Sequence, residues 1–552
     1  MRDRRHVLFA LLGGALMVLA WPATGSITPL LFVGLVPWMW VAEERWSQVP
    51  RKRRTLLVLY PGLLLWNLVT THWLGNVQEG FATRLLTGVL VQMANAGLMT
   101  IPFALARHAR MRAGPILGWA AFIVFWTAFE RLHHEWDLQW PWLTLGNGLS
   151  ARADWVQWYA WSGHLGGSVW VLMVNVLVLL TLRSPRSAAV RRSMAAGLLI
   201  AVPIAGSLVV HRTYRERGAT ISAVIVQPNI DPYNEKFGGL GPMEQLDRML
   251  DLAAGQVTDS TRLVVFPETA LQEYAGLKID PKGNLQLKGL WENDLSVSLS
   301  VQRIRAWIQD HPGVSILTGM SSARLFGPNE QLTATARQVR GSDRYFDAYN
   351  AALLVDEHGA ISVYHKSKLV AGVEMLPFEQ LLGKLDLLAI DLGGTSGSLA
   401  GQEERSVLLA DDGHIGVAPV ICYESVFGDY VTGYVRNGAD LIAIITNDGW
   451  WGDTPGYRQH LQYGRLRAIE TRRDILRAAN TGISCWIDQR GDIHKATDWW
   501  VPAAIRAKVH LGRSRTFFVR HGDLVGRSSI GLALIIAALL VVAGVTKRSK
   551  AE

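Results

Sequence analysis

Val420-Ile-Cys-Tyr-Glu424 closes an apolar, β-branched run that begins near His414. Such a run reads as a buried strand, and it delivers Cys422 at the strand's end, where the chain turns polar. A cysteine in that setting is, taken alone, more often inert core than nucleophile. Two other segments change the weighting. Val264-Val-Phe-Pro-Glu-Thr269 ends a second buried run in Pro267 and sets Glu268 at its edge. Tyr364-His-Lys-Ser-Lys-Leu-Val370 does the same with Lys366, and Glu374 follows. A lone strand-end glutamate is usually a cap, and a lone lysine usually lies at the surface. A carboxylate, an ammonium and a thiol that each end a strand supply a base, a cation and a nucleophile. Acyl transfer through a thioester needs that set.

Around these segments the stretch from about 218 to about 526 has the mixed composition of an α/β domain. Short β-branched runs recur at Ile221–Gln227, Leu263–Phe266, Ser315–Thr318, Ala352–Val355, Ser362–His365, His414–Ile421, Asp440–Thr446 and Gly482–Asp488. Helical patterns are expected at Gly241–Ala254, Leu295–Asp310 and Gly456–Asn480, the last with a charged face of Arg465, Arg467, Arg472, Arg473 and Arg477. Paired strands with intervening helices predict an α/β sandwich. No phosphate loop or dinucleotide fingerprint is present, and Leu392-Gly-Gly-Thr-Ser-Gly397 reads as a turn. The 2 cysteines, Cys422 and Cys485, form no disulfide framework, though a single bridge between them stays open at this point. Cys485, inside a strand pattern, reads as core. No metal-ligand spacing appears, so neither cofactor nor metal is expected.

The rest of the chain is different in kind. Eight apolar runs, roughly 7–23, 27–42, 55–74, 85–106, 115–133, 165–182, 193–210 and 529–546, approach the ~20 residues that cross a bilayer as a helix. The first also has the flanks of a signal peptide, but six more runs follow it before the α/β stretch. Basic residues mark one side: Arg2, Arg4 and Arg5; Arg45, Arg51, Lys52, Arg53 and Arg54; Arg107, Arg110 and Arg112; Arg183, Arg186, Arg191 and Arg192; Lys547, Arg548 and Lys550. The positive-inside rule puts that side in the cytoplasm, with both termini, and puts the α/β domain outside. The net charge of +9 is then a matter of topology, not of nucleic-acid binding. The expected division is a transmembrane domain at 1–211, a catalytic domain at 218–526 and a last transmembrane helix at 529–546. Of the 22 tryptophans, Trp136, Trp140, Trp142, Trp155, Trp158 and Trp161 cluster between the fifth and sixth runs. They read first as an interfacial belt and second as a platform that guides lipid tails.

These motifs resemble the nitrilase superfamily and, within it, the apolipoprotein N-acyltransferases. Glu268 follows Phe-Pro, Lys366 sits in Tyr-x-Lys-x-x-Leu, and Cys422 opens Cys-Tyr-Glu. Thr446-Asn-Asp-Gly-Trp-Trp-Gly452, His460, Arg467-Ala-Ile-Glu470, Arg473, Asn480-Thr-Gly-Ile-Ser484 and Trp140-Pro-Trp-Leu-Thr-Leu-Gly-Asn147 match as well. The resemblance implies a membrane helical bundle of about eight transmembrane helices joined to an αββα sandwich, in a bacterial inner membrane. It implies transfer of a fatty acyl chain from a phospholipid, phosphatidylethanolamine first among donors, to the N-terminal amine of a diacylglyceryl-modified apolipoprotein. Glu268, Lys366 and Cys422 would be catalytic. Glu374, Tyr423, Glu424, Asn350 and Phe237 would support the site, with Phe237 in the place of a gating tryptophan. The partners implied are the phospholipid, the apolipoprotein and the bilayer, for a monomer. Ala371-Gly-Val-Glu374 departs from the family's Pro-Phe-Gly-Glu, which puts that loop's shape in doubt. The rival reading is a membrane-anchored amidase that uses water as acceptor.

Overall fold

The computed structural model describes residues 2–48, 52–78, 80–236, 238–279, 285–375 and 398–549. Leu392–Gly397 and Phe237 lie outside them. The chain divides into two compact units. One comprises Met1–Tyr214, Thr454–Glu470 and Thr516–Glu552; the other comprises Arg215–Asp453 and Thr471–Arg515.

The second unit is built on two sheets. In the first, Thr220–Gln227, Thr261–Val265 and Ser315–Leu325 run parallel, as buried apolar strands do when both faces are covered. Ala503–His510 closes one edge antiparallel, and Tyr345–Val355 pairs beyond the other with Ile361–His365 beside it. The helices Pro242–Ala254 and Leu299–Asp310 cover this sheet. Their apolar stripes (Leu246, Met249, Leu250; Val301, Ile304, Ile308) share one core with Val224, Val264 and Ile316. Ser298 caps the second helix, its Oγ accepting from the Val301 N–H at 3.2 Å. In the second sheet Ile415–Ile421, Leu441–Thr446 and Ile475–Ala479 run parallel, with antiparallel strands outside them. Polar groups tie the sheets together. Gln227 Oε1 accepts from the Ser484 backbone at 3.0 Å and its hydroxyl at 2.8 Å, and the Asn480 side-chain amide donates to the Ile230 carbonyl at 2.7 Å. The expected α/β sandwich is this unit.

The first unit is helical. Among the described residues, five of its segments are long and apolar enough to cross a membrane: Arg54–Gly75, Thr83–Leu132, His164–Leu182, Arg186–Thr213 and Leu524–Ala543. Six of the eight expected runs fall in them, two in Thr83–Leu132, where the helix breaks at Gly114 (φ 84°) before Pro115. The run 7–23 forms the helix Arg2–Ala20, whose charged first turn lowers its apolar content, whereas 27–42 is split between a 3-10 turn at Thr28–Phe32 and the helix Val36–Gln48, which at 13 residues is too short to cross alone. Trp21, Trp38, Trp66, Trp119 and Trp126 are wholly buried in this unit's core. Within the expected belt, Trp142 is buried and Trp161 is 71% exposed.

The expected helix Gly456–Asn480 is corrected. The helix is Pro455–Thr471, and Ile475–Ala479 is a strand of the second sheet. Its arginines are not a solvated face. Arg467, Arg473 and Arg477 are among the largest wholly buried side chains. Arg477 pairs with Asp448 at 2.5 Å, and Arg473 donates to the Ala439 and Ser514 carbonyls. The helix packs into the first unit, with Leu466 and Ile469 in its tryptophan core. Trp21 Nε1 donates to the Tyr463 hydroxyl at 3.1 Å, and Trp73 Nε1 to Gln459 Oε1 at 3.1 Å. Glu470 Oε1 accepts from the His164 backbone N–H at 2.8 Å, and its Oε2 lies 2.8 Å from Arg467 Nε. Both partners of that ion pair are fully buried.

Removing one partner of such a pair strands a charge at a cost of about 3–5 kcal/mol. Glu470→Ala is therefore expected to lower the melting temperature in detergent. Adding Arg467→Leu, which removes the orphaned charge, is expected to recover part of the loss. A double variant that melts below Glu470→Ala would contradict this account.

Candidate active site

Glu268 leaves the strand Thr261–Val265 through Phe266 and Pro267. The turn is held from behind, where the Gly319 N–H donates to the Pro267 carbonyl at 3.0 Å. A Cβ at position 319 would lie 2.3 Å from the Thr269 nitrogen and 2.7 Å from Glu268 Cα, so only glycine fits. The Glu268 carboxylate is buried and fully engaged. Oε1 accepts from Asn350 Nδ2 at 2.8 Å and from Lys366 Nζ at 3.0 Å; Oε2 accepts from the Asn447 N–H at 3.0 Å.

Lys366 follows the strand Ile361–His365, and its N–H donates to the Asn350 carbonyl at 2.9 Å. Its side chain is 1% exposed. The ammonium bridges two carboxylates, Glu268 Oε1 at 3.0 Å and Glu374 Oε1 at 2.8 Å. Asn350 Nδ2 spans the same two, lying 2.8 Å from Glu374 as well. Burial alone would lower the lysine's pKa, but the charges of Glu268 and Glu374 outweigh it and hold Lys366 protonated well above its ordinary value. Burial likewise pushes Glu268 up, and Lys366's charge with the hydrogen bonds from Asn350 and Lys366 brings it below the usual carboxylate value. The segment that departs from the family pattern forms a tight turn, with Gly372 at φ 82° and its N–H on the Met375 carbonyl at 2.7 Å. Glu374 Oε2 accepts from the Val370 N–H at 2.9 Å, so this sequence still presents its carboxylate to Lys366.

Cys422 ends the strand Ile415–Ile421 at φ 47°, a left-handed conformation rare for a residue with a Cβ. It is 9% exposed. Burial pushes its thiol well above the ordinary value, the charge of Glu268 adds to that, and Lys366 opposes it. The resting state is thus a thiol beside an ionised carboxylate and an ammonium. Neither cysteine is in a disulfide, and Cys485 is wholly buried, as a core residue is.

Glu424 works at a distance from these groups. Its Oε1 accepts from the Tyr364 hydroxyl at 2.6 Å, the Ser367 N–H at 2.8 Å and the Tyr430 hydroxyl at 3.1 Å. Its Oε2 accepts from the Ile421 N–H at 2.8 Å and the Tyr434 hydroxyl at 3.2 Å. One buried carboxylate thus ties the Lys366 strand end to the Cys422 strand end. Tyr423 is buried edge-on against Phe427, with centroids 4.9 Å apart. Three features escaped the sequence reading. The Asn447 N–H on Glu268 is a backbone contact with no side-chain signature. The hydroxyls of Tyr430 and Tyr434 that reach Glu424 sit in no sequence motif. Lys236, wholly within the fold, donates to Thr269 Oγ1 at 2.6 Å and faces the Glu268 carbonyl at 3.4 Å. Among the described residues, the two groups with metal-ligand chemistry, Glu216–Asp474–His510 and Glu357–His358–Asp412, include none of these side chains.

Comparison with known proteins agrees with this architecture. Residues 13–177 match the model of the apolipoprotein N-acyltransferase N-terminal domain, and residues 225–517 match that of carbon–nitrogen hydrolases. The apolipoprotein N-acyltransferase of Chlorobaculum tepidum is 30% identical over 551 residues, 98% of this chain and 96% of that one. That of Geobacter metallireducens is 27% identical over 555 residues, 97% and 95% of the two chains. Among solved structures, an amidase from Nesterenkonia sp. is 18% identical with a TM-score of 0.34, covering 54% of this chain and 93% of that one. From its helical N-terminal region through the segments that carry Glu268, Lys366 and Cys422, the chain belongs to the apolipoprotein N-acyltransferase family.

Proposed function

We propose that the protein moves a fatty acyl chain from a phospholipid to the N-terminal amine of a diacylglyceryl-modified apolipoprotein, by way of an S-acyl Cys422. The observation that carries this reading is the buried Lys366 ammonium held between Glu268 and Glu374 in the electrostatic field of the Cys422 thiol. Glu268, ionised at rest, takes the thiol proton as sulfur attacks the ester carbonyl. The oxyanion that forms is stabilised by Lys366 and the Tyr423 backbone N–H, each such donor contributing about 3 kcal/mol. Glu268 then returns the proton to the departing glycerol oxygen. The products are a thioester and a lysophospholipid. In the second half, the apolipoprotein amine attacks the thioester, Glu268 takes a proton from nitrogen, and the thiol is restored as the amide leaves. Glu374 and Asn350 hold Lys366 and Glu268 in register through both halves.

The membrane-type helices give both lipid-borne substrates a common plane to diffuse in. In this reading the protein sits in a bacterial inner membrane as a monomer, with its termini in the cytoplasm and its α/β unit on the outer side. The basic loops support that orientation. Phosphatidylethanolamine is the donor assigned, and a buried Cys422 favours an amine over water as acceptor.

Intact mass spectrometry after incubation with phosphatidylethanolamine is expected to show a gain of one acyl mass. The adduct should be labile to hydroxylamine and absent from Cys422→Ala. Release of free fatty acid with no adduct would instead favour the hydrolase with water as acceptor. Gly319→Ala, although remote from the thiol, is expected to slow adduct formation about 100-fold, because its Cβ displaces the Glu268 turn. A wild-type acylation rate in that variant would remove Glu268 from the role of base.

A further inference from the structure

Lys236 sits on the segment that follows Gln227-Pro-Asn-Ile230. Its N–H donates to the Asp231 carbonyl at 2.9 Å, and its own carbonyl accepts from Gln245 Nε2 at 2.9 Å. The backbone is thus fixed from both sides. The ordinary place for such a lysine is the surface, with the stem along apolar groups and the ammonium in water. Here the residue is 4% exposed. Its ammonium turns inward to Thr269 Oγ1 at 2.6 Å and the Glu268 carbonyl at 3.4 Å, both neutral oxygens. A buried ammonium is costly unless nearby negative charge repays its lost hydration.

The turn it reaches is strained. Thr269 has φ 46°, an outlier for a β-branched residue. Gly319 presses on it from behind, and Gln272 Nε2 holds the Thr269 carbonyl at 2.5 Å. Lys236 fastens its side-chain hydroxyl. The charges make the same point. Glu268 and Glu374 set two carboxylates against the single ammonium of Lys366. Lys236 brings a second positive charge to the Glu268 side of that cluster.

We propose that Lys236 is a positioning residue of the active site, which fastens the Glu268 turn through Thr269 and keeps the Glu268 carboxylate ionised by its charge. It touches neither sulfur nor substrate and acts through Glu268, so the assignment rests on Glu268 serving as the base. Burial lowers the lysine's own pKa, with Glu268 opposing, to about 8. The ammonium is therefore charged across the range in which a carboxylate base is switched on. Removing that charge withdraws an attraction from the ionised carboxylate, so the Glu268 pKa rises and the base becomes active only at higher pH.

The test is the pH dependence of Cys422 alkylation by iodoacetamide, read by intact mass on the full chain in detergent, with no lipid present. Lys236→Gln keeps a donor for Thr269 without the charge, Lys236→Met removes both at similar length, and Lys236→Arg keeps both. In whichever neutral variant retains the wild-type melt, the acid limb is expected to move up by about half a pH unit or more. That is about threefold slower alkylation on the limb. Lys236→Arg is expected to restore it. A limb that stays in place, or a loss equal at every pH and not rescued by arginine, overturns the proposal. Because no acyl donor is used, a displaced limb without any acyl adduct on phosphatidylethanolamine would leave Lys236 assigned and remove the acyl-transfer reading alone.

Discussion

The site in the α/β unit rests on one costly arrangement, an ammonium and two carboxylates held together out of water. Each of those charges loses its hydration on burial, and only close opposite charge with saturated hydrogen bonding recovers it. Lys366 recovers it by bridging Glu268 and Glu374, and Asn350 fills the space between the same two acids. The three charged groups come from the ends of different elements: Glu268 after one parallel strand, Lys366 after an antiparallel one, Glu374 from a turn. Lys366 cannot move without leaving both acids unpaired by it. Glu424 extends the constraint to the second sheet, since its five hydrogen bonds join the Ile421 and Ser367 backbones through one carboxylate. The cluster is thus a lock between sheets as much as a site.

That lock explains why strain collects where it does. Thr269 and Cys422 both take left-handed conformations that their side chains disfavour, at about 1–3 kcal/mol each. Each lies at or next to a group invoked for chemistry. A strand that ends in a sharp left-handed turn aims its last side chain across the sheet edge instead of along it. The parallel strands Thr261–Val265 and Ile415–Ile421, apolar and almost wholly buried, provide the rigid backing against which that turn can be held. Gly319 is the complementary device. It is bare because the Glu268 turn lies where its Cβ would be.

Much of this was legible in the residues themselves. Phe-Pro-Glu, Tyr-His-Lys and Ile-Cys-Tyr-Glu each announce a strand that stops at a reactive group, and the strand ends at Glu268 and Lys366 do meet. The long apolar runs announced helices, because a helix satisfies its backbone within one continuous apolar segment. The misreading of Gly456–Asn480 has a physical origin. Arginines spaced along Leu466, Ile469, Ile475 and Leu476 fit a helical period, and charge on one face normally means water. In this fold the arginines are buried against Glu470, Asp448 and backbone carbonyls, so period and charge no longer report exposure. Ile475–Ala479 pairs as a strand because its neighbours in the sheet, not its own pattern, decide its conformation. Lys236 was missed for a similar reason. A single lysine in a loop carries no pattern, and its partners, a carbonyl and a hydroxyl, cannot be seen from the chain.

The same electrostatics bear on how a thiol so strongly protonated at rest reacts at all. Burial and the charges of Glu268 and Asp448 resist a thiolate at Cys422, and the Lys366 charge with a hydrogen bond from Thr446 favours it. A free thiolate is therefore a poor description of the resting site. If the proton passes to Glu268 as sulfur attacks, however, the negative charge leaves the carboxylate and reappears on the carbonyl oxygen, without a net gain in the site. Lys366, held above its ordinary pKa by two acids, cannot itself give up a proton cheaply. Its part in the proposed reaction is electrostatic, and the adjacent Glu268 carboxylate is the group proposed to exchange the proton. In the proposed reaction that carboxylate hands the thiol proton to the glycerol oxygen in one half and passes a proton from the amine to sulfur in the other, which restores the thiol. A transfer from an ester donor to an amine acceptor through one thiol can then use a single base in both halves.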